Sequence, residues 1–169
     1  MKRTLPFAVC MMLAVPALGQ TDAPASPNLL KAEDFISKAA MSDMFEIQSS
    51  QLASERADGT TKTFATQMIA DHQKTTDELQ KMLGSNAVPG AIPPAMSSTQ
   101  QSMLDKLKSL NGADFTKQYR SDQVQAHQEA VSMFTSYANT GDHAGMREWA
   151  IKTLPALEDH LKMAQDLGS

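Results

Sequence analysis

From about residue 32 to the end of the chain, apolar positions recur every three or four residues, the period of one helix face. The period predicts four long helices. The first runs from about Ala32 to Ala57, with Phe35, Ala39, Ala53 and Ala57 on one face and Asp34 near the first turn, where a negative charge suits the helix dipole. Asp58-Gly59 ends it, and Thr60 or Thr61 can cap a second helix that ends at Leu83-Gly84. From Ser85 to Ser98 the prolines and Gly90 exclude a regular element, and a short helix from about Thr99 to Leu110 follows. Asn111-Gly112 and a cap at Asp114 introduce a third long helix from Phe115 to about Ala138. A tight turn at Asn139-Thr140-Gly141-Asp142, with Asp142 as cap, leads into the fourth, His143 to Leu167.

No alternating strand pattern competes. The fold class is therefore all-α. Two short connections predict antiparallel hairpins, and the long stretch between the second and third long helices can run the length of the bundle. The expected layout is a ferritin-like four-helix bundle with a long crossover that contains the short extra helix.

Three of the buried faces carry a histidine. Ala65, Met68, Ile69, Thr76, Leu79 and Leu83 all fall within about 60° of His72 at 100° per residue. His127 shares its face with Gln123, Val124, Val131, Phe134 and Ala138, and His160 with Trp149, Ala156, Leu157, Ala164 and Leu167. Glu46 lies among the small residues of the first helix. If the crossover returns the chain to the end where the second helix began, these four residues lie within about 8 Å of a common depth at 1.5 Å per residue.

Imidazole nitrogen and carboxylate oxygen suit zinc, iron, copper or manganese, and facing helices of a bundle are where such sites are built. Glu46, His72, His127 and His160 form the candidate metal set, for a single transition-metal ion. Asp71, Glu158 and Asp159 are candidates to fix an imidazole from behind. The other reading is a polar cluster in which Glu46, the imidazoles, Gln123 and Tyr119 satisfy one another. His143 is expected to be exposed or part of a cap.

The N-terminus changes the picture of where the chain works. Lys2 and Arg3, an apolar run from Leu5 to Val15 and the small residues around Ala17 and Gly19 read as a signal peptide over residues 1–19, cut before Gln20. Residues 20–31 form a Pro/Ala/Ser tether expected to be disordered, and 32–168 the bundle. The expected location is outside the inner membrane, in the periplasm. No later segment reaches the ~20 apolar residues of a transmembrane helix.

The single cysteine, Cys10, lies within the signal, which leaves a mature chain without disulfide, thiolate ligand or cysteine nucleophile. Loss of Lys2 and Arg3 makes an already acidic chain (net charge −4) more so, and no basic patch points to nucleic acid as partner. No phosphate loop or nucleophile elbow is present, so the residues favour a non-enzymatic protein. Nine of the twelve methionines lie beyond the signal. Thioethers bind Cu(I), although adaptable core filling accounts for methionine more simply.

The order Phe64-Ala65…Met68-Ile69-Ala70-Asp71-His72, then Phe115…Tyr119…Gln123…His127, then Trp149-Ala150…Thr153-Leu154-Pro155…Leu157…His160 resembles the secreted bacterial family called domain of unknown function 4142. The likeness spans about Asp34 to Leu167. It implies a ferritin-like bundle in an exported protein whose biochemical role is not established. Di-iron members of the wider group use paired Glu-x-x-His ligands, whereas Ile69 and Leu157 stand three residues before His72 and His160. A single histidine-rich site is expected instead. The sequence thus leaves two functions open: a non-enzymatic binding or envelope stress-related protein, or a metal-binding protein with a histidine and glutamate centre, oxidase-like if it is catalytic. It does not specify the protein or small-ligand partner, or the oligomeric state.

Overall fold

A computed structural model describes residues 30–57, 59–85 and 87–167. The expected signal peptide, its cleavage site and the tether up to residue 29 lie outside the described residues. Five helices follow in order: α1 Ala32–Arg56, α2 Gly59–Gly84, α3 Ser98–Ser109, α4 Gly112–Thr140 and α5 Ala144–Asp166. Among the described residues there is no strand, and no helix is long and apolar enough to cross a membrane.

Helices α1 and α2 form one hairpin and α4 and α5 the other; α1 packs on α4 and α2 on α5 to complete the bundle. Neighbouring helices run antiparallel. Phe35 near the start of α1 stacks on Tyr137 near the end of α4, with centroids 4.0 Å apart, while Arg56 at the end of α1 lies over Phe115 at the start of α4. The crossover therefore carries the chain back to the end where α2 began. Within it, α3 rests on α1 and α4 and is started by a capping box in which Ser97 and Gln100 satisfy each other's backbone.

Three details of the turns differ from the sequence reading. Thr60 and Thr61 lie inside α2, which already starts at Gly59, and so are not its N-cap. Asp142 does not cap α5: His143 is the N-cap residue, and Asp142 Oδ1 accepts from the Ala32 backbone N–H at 2.9 Å and from the Tyr137 hydroxyl at 3.2 Å. An acid after one helix thus serves the start of another, because α1 begins where α4 ends. Asp114 lies in the first turn of α4 rather than before it; Asn111 is the N-cap and makes no side-chain capping bond. The helix thus starts about a turn early, at Gly112, whose φ of +54° is a conformation glycine adopts without strain.

The core is layered. One apolar cluster, with Phe35, Phe134, Tyr137 and Trp149, fills the end where α1 starts. A second, with Ala53, Phe64, Phe115 and Tyr119, fills the opposite end. Between them every long helix turns polar residues inward: Asp43 and Glu46 from α1, His72 from α2, Gln123 and His127 from α4, Thr153 and His160 from α5. Apolar packing on both sides holds this middle layer in register.

Candidate metal centre

His72, His127 and His160 come from three helices and meet in the middle layer. All three are buried, with ring centroids 5.6, 5.5 and 5.4 Å apart. One nitrogen from each ring lies within 4.8 Å of the other two.

The opposite nitrogen of each ring is held from behind. His72 Nδ1 lies 2.8 Å from Asp43 Oδ1, His127 Nδ1 2.9 Å from the Gln123 carbonyl, and His160 Nε2 3.0 Å from Asp71 Oδ2. A carbonyl only accepts, so His127 Nδ1 carries hydrogen; the carboxylates impose the same on His72 Nδ1 and His160 Nε2. Asp43 is itself fixed, since Oδ2 accepts from Thr75 at 2.8 Å and Thr76 at 3.0 Å.

The remaining nitrogens, His72 Nε2, His127 Nε2 and His160 Nδ1, are buried and have no hydrogen-bond partner among the described residues. In neutral rings they are three lone pairs turned toward one another. Buried acceptors without donors cost free energy, and three imidazole nitrogens this close are a group that could hold a metal ion. Nitrogen ligands at about 2.0–2.1 Å from a metal stand roughly 3.3–3.6 Å apart, and small ring movements bring the three to that spacing.

Glu46 stands beside this group, not in it. Its Oε1 is 3.9 Å from His127 Nδ1, the nitrogen already bonded to the Gln123 carbonyl. Both carboxylate oxygens are buried without a hydrogen-bond partner among the described residues, and burial pushes the carboxyl up to about 7 despite the nearby histidines. The Gln123 amide is its neighbouring donor, and Gln123 Nε2 is turned to Ser49 Oγ at 3.3 Å.

Burial and the charge of His72 lower His127 to about 4, and the same two causes with His127 lower His160. For His72 burial also pulls down, but the Asp43 hydrogen bond and charge, with Glu46 and Asp71, outweigh it and the net direction is up. Two rings are thus held neutral.

A mutually satisfied polar cluster does not describe this layer. Tyr119 pairs with Ser50 at 2.8 Å and Gln123 with Ser49, which leaves the facing nitrogens untouched. Of the acids expected behind the rings, Asp71 is engaged, on His160, while Glu158 and Asp159 are exposed. His143 caps α5, its Nδ1 accepting from the Met146 N–H at 3.4 Å. Asp43 and Thr75 escaped the sequence reading, which placed Thr76 on the His72 face without giving it a partner; the available signal was that Asp43 precedes Glu46 by three residues and so shares its face. A cleft of about 150 Å³ between α2 and α5, lined in part by Asp71, Thr75 and Thr153, reaches His72 and His160 from outside.

The family model for DUF4142, a domain of unknown function, matches residues 16–167. The chain belongs to the DUF4142 family. No curated protein matches this DUF4142 chain significantly. Solved structures of the same fold include a DUF305 protein from Streptomyces coelicolor named as a candidate secreted protein. It has 15% identity, a TM-score of 0.66, and coverage of 79% of this chain and 87% of that one. CopM in its Cu(II)-bound form gives 17%, 0.66, 82% and 95%, and a DUF305 fragment from Deinococcus radiodurans 16%, 0.67, 79% and 93%. At these identities the likeness is one of fold.

Proposed function

We propose that this DUF4142 protein is an exported, non-enzymatic metal-binding bundle that takes one divalent first-row transition ion on His72 Nε2, His127 Nε2 and His160 Nδ1. Glu46, beside these nitrogens and not among them, is the carboxyl whose ionisation offsets the charge of the ion. The observation that carries the reading is the convergence of three partnerless, buried nitrogens whose opposite nitrogens are each held by an acceptor. That is the pattern of outer partners that orient histidine ligands and raise their basicity.

Neutral imidazoles with a buried carboxylate suit Cu(II) and Zn(II), and Cu(II) binds the tighter of the two at a given site of this kind. CopM, which shares the fold, was solved with Cu(II), in line with copper as the ion. The cleft at the histidines, about 150 Å³, is small beside the 300–1,000 Å³ typical of organic-ligand pockets, which favours binding over turnover of an organic substrate there. The basic and then apolar N-terminus supports export, and the crossover layout is one that ferritin-like bundles use.

Elemental analysis of untagged protein, followed by Cu(II) and Zn(II) titration of wild type and His72→Ala, tests the proposal. One equivalent of metal in the wild type and a large loss of affinity in the variant are expected. Absence of stoichiometric binding, or equal affinity in the variant, would overturn it.

A further inference from the structure

A second cleft, of about 500 Å³, lies on the opposite side of the bundle from the α2/α5 face, where α3 covers the seam of α1 and α4. Three methionines line it, one from each helix: Met41 of α1, Met103 of α3 and Met133 of α4. Each is half-buried, at a cleft wall rather than inside the bundle. Met133 packs at the margin of one apolar cluster, but Met41 and Met103 belong to neither. Core filling, the simplest account of methionine, therefore does not explain Met41 and Met103.

Phe45, Ala126 and Ala130 give the cleft an apolar wall, and charged groups are confined to Lys38 and Glu129, both exposed. A thioether is a soft ligand that needs no deprotonation, and three unbranched side chains with several rotatable bonds can close on one small ion. Ser42, Ser97 and Gln125 also line the cleft, and Glu129 is its one carboxylate, too few acidic oxygens for a hard divalent ion, which takes about six or more oxygen ligands. The geometry points to a second metal site, in which the sulfurs of Met41, Met103 and Met133 bind Cu(I). It is independent of the histidine centre: no lining residue is shared, and the two differ in ligand type and in the charge of the ion they prefer.

The test is anaerobic titration with Cu(I), in competition with a chromogenic Cu(I) chelator, of His72→Ala protein with and without the added substitutions Met41→Leu, Met103→Leu and Met133→Leu. Methionine to leucine conserves volume and is well tolerated, and circular dichroism checks that the bundle is retained. The His72→Ala protein is expected to bind one equivalent of Cu(I) with sulfur neighbours in X-ray absorption, and the leucine-substituted protein to bind at least tenfold more weakly. Equal uptake by the two proteins, or a copper shell without sulfur, would overturn the assignment. His127 and His160 are the same in both arms, so any Cu(I) they hold cancels in the comparison, and the sulfur shell is read from the methionines alone.

Discussion

Asp71 and His72 are adjacent in sequence, yet they serve different helices: Asp71 Oδ2 holds His160 Nε2 of α5 at 3.0 Å, while His72 is held by Asp43 of α1 at 2.8 Å. Successive residues on a helix point about 100° apart, so α2 presents one side chain to each neighbour. The middle layer is tied together around α2 by this division. Its two anchors are unequal: Asp43 is nearly enclosed and braced by two threonine hydroxyls, whereas the Asp71 side chain is 43% exposed.

That inequality sets an order of effects. Asp43→Ala is expected to weaken metal binding 10–100-fold, the usual range for loss of a residue that orients a ligand. Asp71→Ala should fall at the low end, since water can replace an exposed acceptor. Asp43→Asn, whose amide oxygen can still accept from His72 Nδ1, should recover part of the loss. Competitive titration with a chelator of known affinity measures all three.

Glu46 makes the metal-free protein's stability depend on pH. Its ordinary value of 4.5 is pushed up to about 7 by burial, so between those values the folded chain holds a proton that the unfolded chain has released. Stability attributable to this group therefore falls as pH rises through the window. Glu46→Gln removes the effect: the variant should track the wild type below pH 4.5 and exceed it by on the order of 3 kcal/mol above pH 8. His127, lowered by burial and by His72, contributes the opposite slope at acid pH in both proteins, whereas His72, raised in part by Glu46, loses that support in the variant and reduces the difference. Urea denaturation of chelator-treated protein across pH gives the difference curve.

Metal should raise stability by mass action. With free ion at 100 times its Kd, the folded state gains about 2.7 kcal/mol, and the thermal midpoint moves up accordingly. His72→Ala should lose this response while keeping its apolar clusters. Thermal scans with and without metal report it.

The end of the bundle away from the metal layer has its own sensitive point. A Cβ at Gly141 would lie 2.5 Å from Tyr137 Cε1, and the Tyr137 ring is backed by Phe35 in a stack of 4.0 Å. The ring has no room to retreat. Gly141→Ala should therefore cost about 1–3 kcal/mol of stability, as overpacking does, without changing metal affinity.

Much of this architecture was legible along the chain because helix periodicity and turn residues are local. The long helices, the short helix in the crossover and the common depth of His72, His127 and His160 follow from spacing alone. Partnership across helices does not. Which carboxylate meets which imidazole depends on axial register and crossing geometry, so Asp71 could be suspected but not assigned to His160, and Asp43 read as one more polar residue. The same limit hid the role of Asp142, whose partner Ala32 is 110 residues away.

X-ray absorption at the copper edge, on protein loaded with one equivalent of Cu(II), tests the central claim most directly. The account predicts three histidine nitrogens at about 2.0–2.1 Å, reduced to two in His160→Ala. A shell with no imidazole scattering, or a spectrum unchanged by that substitution, would contradict it.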